Sequence, residues 1–226
     1  AIGWTATTAA LLAWEHHQIG NQAESLALVD ARASFDRDLA FRRWAARPGG
    51  VYVPATDETP PNPHLFHVPD RDISTPSGTQ LTLMNSAYIS RQLHEWYEDA
   101  EDTRGHVTSL KPLRPENRAD AWETKALREF QQGRQEVVST EVADGKKLLR
   151  LMRPVVTESE CLKCHAAQGY QLGEIRGGIS VSVPMEKYEA AGSNARKFSI
   201  AAFSGVWLLG LIGIGAGGAI LNRKML

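Results

Sequence analysis

Apolar and polar positions divide the chain into three regimes. Between Ser199 and Leu221 no charged residue occurs, a length that crosses the hydrocarbon core of a bilayer as a helix. A buried core helix seldom runs so far without a polar face. The segment carries Gly210, Gly213, Gly215, Gly217 and Gly218, which suit close helix packing in lipid, and Gly213 and Gly217 form a GxxxG pair. At the other end, Ala1 to Trp14 is also apolar and uncharged. It is too short to span a bilayer alone and reads as the end of a first membrane helix. Glu15 to Ala46 lacks proline and contains only Gly20, so the helix is predicted to continue as a stalk. Ile19, Ala23, Leu26, Val29 and Ala33 step by three or four and form its apolar stripe. Pro48-Gly49-Gly50 ends it.

The middle of the chain changes period. Residues 49–75 are rich in proline and read as an ordered, extended loop. Leu81–Met84 reads as a strand, and Asn85 as the cap of a helix through roughly Asp102 with Ala87, Ile89, Leu93 and Trp96 on or near its apolar face. His106–Leu110 is a second strand candidate. Ala119–Gln132 is a helix with Trp122, Ala126, Leu127 and Phe130 inward. Glu136–Glu141 and Lys147–Val156 flank Ala143-Asp144-Gly145, the pattern of a hairpin, and Gly178–Val183 alternates as a half-buried strand does. Helices and hairpin-connected strands together predict an α+β domain with a mainly antiparallel sheet. The predicted organisation is an N-terminal helix over 1–47, a domain over 48–190 and a membrane helix over 198–222.

Composition narrows the chemistry. The chain has 226 residues, a net charge of -1 and 42% hydrophobic content, so no nucleic acid partner is expected. Its two cysteines, Cys161 and Cys164, exclude a disulfide framework and a four-cysteine zinc site. They belong to Cys161-Leu162-Lys163-Cys164-His165. Two thiols at this spacing can add to the two vinyl groups of a porphyrin, and the following histidine supplies a nitrogen to the iron. The cofactor implied is one covalently attached haem c, tethered by Cys161 and Cys164 with His165 as proximal ligand. A redox CxxC pair does not need the histidine, and a zinc site lacks two further ligands at recognisable spacing. Haem c is attached outside the cytoplasmic membrane of bacteria. The haem domain is therefore expected on the periplasmic side of the inner membrane, with the C-terminus cytoplasmic. Met84, Met152 and His106 are the candidates for the sixth iron ligand, beside an open position. His64, His67 and His94 rank below them, and His16 and His17 lie close to the membrane end. Arg150, Arg153 and Arg176 are candidates to meet a haem propionate.

Five segments then resemble a known family: GGVYVPATDETPPNP, RDISTPSGTQLTLMN, HVTSLKPLRPEN, LRLMRPVVTESECLKCH and IRGGISVSVPM. They resemble, in order and over roughly residues 25–190, the bacterial periplasmic c-type-haem sensory domains found upstream of histidine kinases and diguanylate cyclases, formerly a domain of unknown function. The resemblance implies a PAS-like antiparallel sheet with flanking helices, placed between two membrane helices, and redox or small-gas sensing. Some relatives take a distal ligand from a cysteine on the N-terminal helix, and this chain has no cysteine there. A kinase, cyclase or coupling domain is not part of this sequence, so a signal would pass to a partner subunit or to an output domain beyond it. Two functions follow: a membrane-anchored redox or small-gas sensor, or an electron-transfer monohaem subunit of a larger membrane complex. Both call for a homodimer or a partner membrane subunit through the stalk and the glycine-rich helix. An enzyme is the less favoured reading, because no acid/base constellation stands beside the motif.

Overall fold

The computed structural model describes residues 1–101, 103–143 and 145–225, with segment 96–101 and residue 225 described by backbone alone. It is a mixed α+β chain with antiparallel sheets, a long N-terminal helix and a C-terminal apolar helix, as the sequence predicts. Two compact units form, Ala1–Ala27 with Met185–Leu226, and Leu28–Pro184.

The N-terminal helix α1 runs unbroken over Ile2–Ala46 and stops where Gly49 (φ 86°) and Gly50 (φ 121°) take left-handed backbone. Its buried positions differ from the predicted stripe. Ile19 and Ala23 are buried as expected, but the series continues through Ala27, Ala31 and Phe35, while Leu26 and Val29 are exposed and so is Ala33. The stripe steps by four along small side chains, and alanine lets a neighbour come close at little entropic cost. Side-chain size, which hydrophobicity ranking ignores, selects the face.

In the first unit, the start of α1 pairs with the helix α5, Glu186–Met225. Trp4 Nε1 donates to the Trp207 carbonyl at 3.1 Å, and Trp207 Nε1 donates to Thr5 Oγ1 at 3.0 Å. A Cβ on Gly210 would stand 2.3 Å from the Trp4 ring, so this glycine permits the approach, while Gly213 and Gly217 have no neighbour within 4 Å. Among the described residues α5 is the one helix long and apolar enough to cross a membrane. Leu209 and Ile212 are exposed on it, as lipid-facing positions are.

Among the described residues the second unit holds seven strands in two sheets. Strands β1 (Val51–Pro54) and β2 (Asp72–Ser74) flank β3 (Gln80–Met84), so the proline-rich stretch read as loop supplies two edge strands. Edges tolerate proline because one side of the ladder is free. Helix α2 covers Ser86–Glu101 and is capped by Asn85, whose Oδ1 accepts from the Tyr88 amide at 3.0 Å. Its buried side chains are Tyr88 and Ser90, Ala87, Ile89 and Leu93 are half-buried, and the Trp96 side chain and Asp102 lie outside the described residues.

The larger sheet has β4 (Arg104–Thr108), β7 (Ile175–Pro184), β6 (Lys146–Val156) and β5 (Val137–Ala143) side by side, all antiparallel. The predicted hairpin is β5–β6, with Asp144 of its turn outside the described residues and Gly145 at φ 74°. Its register separates two faces. His106 pairs with Ser180 and Ser180 with Met152, while Val107 pairs with Ile179 and Ile179 with Arg153. Helix α3 (Ala121–Gln131) lies against the first row, with Ala126, Leu127 and Phe130 packed on Met152. Residues from the second half of α1 meet the other row. The Arg153 guanidinium lies over the Phe35 ring, 5.3 Å from its centroid, and Nη1 reaches Asp36 at 3.2 Å.

Candidate functional site

The CxxCH segment folds as a continuous right-handed run between β6 and β7. A single turn at Ser159–Cys161 leads into helix α4 (Leu162–His165), and a second turn at Ala166–Gln168 ends at Gly169, φ 85°. Helical spacing puts Cys161 and Cys164 on one side of this run. The neck of the loop is closed by backbone bonds, Thr157 N to Glu174 O at 2.8 Å and Gly173 N to Thr157 O at 2.9 Å. Arg43 pairs with Glu158 at 2.9 Å and ties the motif to α1. Both thiols are free and half-buried. Cys164 packs on the cluster of Leu65, Val68 and Leu83, and burial pushes its thiol above the ordinary range.

His165 lines a cleft that is partly open to solvent, about 750 Å³ with the open part counted. Its Nδ1 meets Gln168 Oε1 at 2.6 Å. An amide oxygen can only accept, so this contact places the proton on Nδ1 and leaves Nε2 unprotonated, the tautomer that metal-ligating histidines use. Arg176 Nη1 lies 3.0 Å from Nε2. Burial, and then the Arg176 charge, hold the imidazole below its usual pKa, so it stays neutral. The Tyr170 ring stands edge-on to the imidazole, 6.2 Å between centroids.

The walls of this cleft carry Arg42, Arg91, Lys111, Arg114 and Arg176, and no Asp or Glu among the described residues. His64 also lines it, on the turn Pro63–Leu65. Met84, Met152 and His106 do not. Met152 is fully buried under α3, and Met84 is buried at the end of β3. His106 Nδ1 meets Glu123 at 2.9 and 3.2 Å, and its Nε2 meets the Glu116 carbonyl at 3.3 Å. The even-numbered positions of β4 and β6 face α3, so strand alternation turns His106 and Met152 from the cleft. His94 meets Asp38 at 2.6 Å, and His67 is exposed on the surface. Of the three arginines singled out near the motif, Arg176 faces the cleft. Arg150 holds Asp120 at 2.7 Å and Glu141 at 3.0 Å, and Arg153 holds Glu136 at 2.7 Å. Among the described residues no group of three or more His, Cys, Asp or Glu side chains converges as a metal site.

Residues 20–184, most of the chain and all of the cleft, match the model of the family described as Tll0287-like. The chain belongs to the Tll0287-like family. Among solved structures it is similar to one described as the crystal structure of the cyanobacterial heme-protein Tll0287. That likeness has 16% identity, covers 70% of this chain and 92% of that one, and has a TM-score of 0.43. No curated protein matches the chain. In this Tll0287-like chain the tertiary structure adds Arg42, Gln168 and Tyr170 to the site. Gln168, one helical turn beyond His165, could have been found from its spacing. Arg42 carries no local signal, since Arg32, Arg37 and Arg43 on the same helix look alike in sequence.

Proposed function

We propose that this chain is a membrane-anchored haem c domain, with Cys161 and Cys164 as the covalent tethers and His165 as the proximal iron ligand. The observation that carries the reading is the His165 imidazole, which faces the cleft with Nδ1 fixed by Gln168 and with an unprotonated Nε2 that accepts from Arg176 and could ligate iron in its place. The donor set fits: two free thiols on one side of a short helix, a neutral histidine beside the second, and cationic walls for an anionic porphyrin. Membership in the Tll0287-like family, one of whose members is described as a heme-protein, supports it. Haem bound here would supply a one-electron iron centre.

The chain's own residues define the rest. Gln168 keeps the imidazole in one tautomer, and the Gln168 amide in turn donates to the Lys111 carbonyl at 3.0 Å, so the ligand is anchored across the cleft. Tyr88 and Leu65 make part of the wall apolar. We favour redox or small-gas sensing, with the globular unit on the periplasmic side of the inner membrane, the C-terminus cytoplasmic and the signal passed to a second copy or a partner subunit. Histidine kinases and cyclases are the output classes this reading points to. Electron transfer within a membrane complex is the second reading. It is favoured by the half-exposed Cys161 and Cys164, which would bring one edge of the tethered group to the surface.

An optical and redox titration of the protein, matured in cells that attach haem c and extracted in detergent, tests this. A haem stain that survives denaturation is expected, and its absence would defeat the proposal. Carbon monoxide binding to the reduced form would support gas sensing and remove the simple electron carrier. A reversible one-electron couple with no gas response would remove gas sensing.

A further inference from the structure

We infer that Arg42 and Arg176 form an anion site inside the cleft, holding a carboxylate or small oxyanion between two guanidinium groups. The inference deepens the haem reading and has one part that stands without it.

Arg42 is only 4% exposed, and its buried Nη1 has no hydrogen-bond partner. Arg176 buries Nε, also without a partner. Both line the same cleft, in which no carboxylate of the described chain stands. The nearest acid along α1 is Asp38, one turn away, and its Oδ2 is engaged by His94 at 2.6 Å. Elsewhere this fold pairs its inward arginines: Arg150 and Arg153 each hold two carboxylates. A buried cation left without a counterion is costly, and two facing one space compound the cost. Burial, and then the like charge of Arg176, pull the Arg42 guanidinium down to about 9. The planar guanidinium fork matches a carboxylate or oxyanion in two-point contact.

The position has chemical meaning. Arg42 also feels the Cys161 thiol, and Arg176 touches His165, so the anion would sit beside the tether and the proximal ligand. Two sources share this chemistry: a carboxylate arm of the porphyrin, or a diffusible oxyanion held next to the iron.

The test compares the wild-type holoprotein with Arg42→Met, Arg176→Met and Arg42→Lys at equal haem content. Resonance Raman reads the propionate bending mode, which drops in frequency when a donor is lost. A drop in both Met variants, with a smaller one in Arg42→Lys, assigns the pair to the porphyrin carboxylate. With no Raman change, saturable optical titration of the ferric protein by sodium nitrite, weakened about tenfold or more in both Met variants, assigns it to a diffusible anion; one charge-assisted hydrogen bond is worth that much. Neither response differing from wild type overturns the site. If Arg42→Met does not accumulate, Arg176→Met, half-buried, carries the same comparison. A wild-type chain that carries no haem defeats the functional reading by itself. Calorimetric titration of that chain with nitrite then decides the site: loss of binding in the variants sustains it, and no binding or equal binding overturns it.

Discussion

Replacing Glu123 with alanine isolates the network that holds His106 away from the cleft. Glu123 is 1% exposed and accepts from His106 Nδ1 at 2.9 Å and from the Ser180 hydroxyl. It also closes a reciprocal cap with Asp120: Asp120 N donates to Glu123 Oε2 at 3.0 Å, and Glu123 N to Asp120 Oδ1 at 2.7 Å. Losing the Glu123 side of that cap costs about 1 kcal/mol. Leaving the Ser180 hydroxyl, 2% exposed, without its acceptor costs roughly 1–2 kcal/mol. The His106 contact adds less than a buried ion pair would, because its side chain is 40% exposed and water screens the attraction. The sum is about 3 kcal/mol, read as a lowered urea midpoint at unchanged slope for the full chain in detergent. Burial alone would raise the Glu123 carboxyl, but the His106 and Ser180 hydrogen bonds hold it below 4.5. Its contribution is therefore present above that value and lost as pH falls through the lower folded value. The Glu123 hydrogen bond holds His106 above 6.5, so its contribution is complete below 6.5 and lost as pH rises through the higher folded value. The wild-type excess over Glu123→Ala is thus expected to be largest between about pH 4.5 and 6.5. A loss under about 0.5 kcal/mol, or an excess that grows above pH 8, refutes the reasoning. So does a change in the haem optical bands in His106→Ala, since that would put His106 on the iron.

Cys161→Ala with Cys164→Ala is expected to abolish the denaturation-resistant haem stain, and His165→Met to keep it while shifting the optical bands. Gly177→Ala places a Cβ 2.3 Å from the Thr108 carbonyl oxygen; it should push β4 from β7 at the cleft wall and lower stability by about 1–3 kcal/mol, seen by chemical denaturation. Gly210→Leu drives a side chain into the Trp4 ring, 2.3 Å from the Cβ position, and is expected to move tryptophan emission and raise protease sensitivity near the N-terminus. The same change at Gly213, with no neighbour within 4 Å, should leave the chain's own helix pair intact.

By itself the sequence determined whatever depends on local pattern. The uncharged run before Leu221, the Asn85 cap, the β5–β6 hairpin and α3 with its inward Ala126, Leu127 and Phe130 are all periodicity or turn chemistry, visible over a few residues. CxxCH is likewise local, and the proposal for Cys161, Cys164 and His165 starts from it. What the tertiary structure decided depends on which face each element presents. The alanine stripe on α1 won over Leu26 and Val29 because close approach selects size as well as hydrophobicity. The short edge strands at Val51 and Asp72 exist only because β3 pairs with both, at Met84 and Thr82, and no local signal in a proline-rich stretch announces that partner. Strand register sent His106 and Met152 to the α3 side, whereas Arg176 reaches His165 where the β6–β7 ladder is irregular and leaves it unpaired. Arg42 is the sharpest case. Four arginines on one helix are equivalent in sequence, and only the fold buries one of them, uncompensated, in the wall of the cleft.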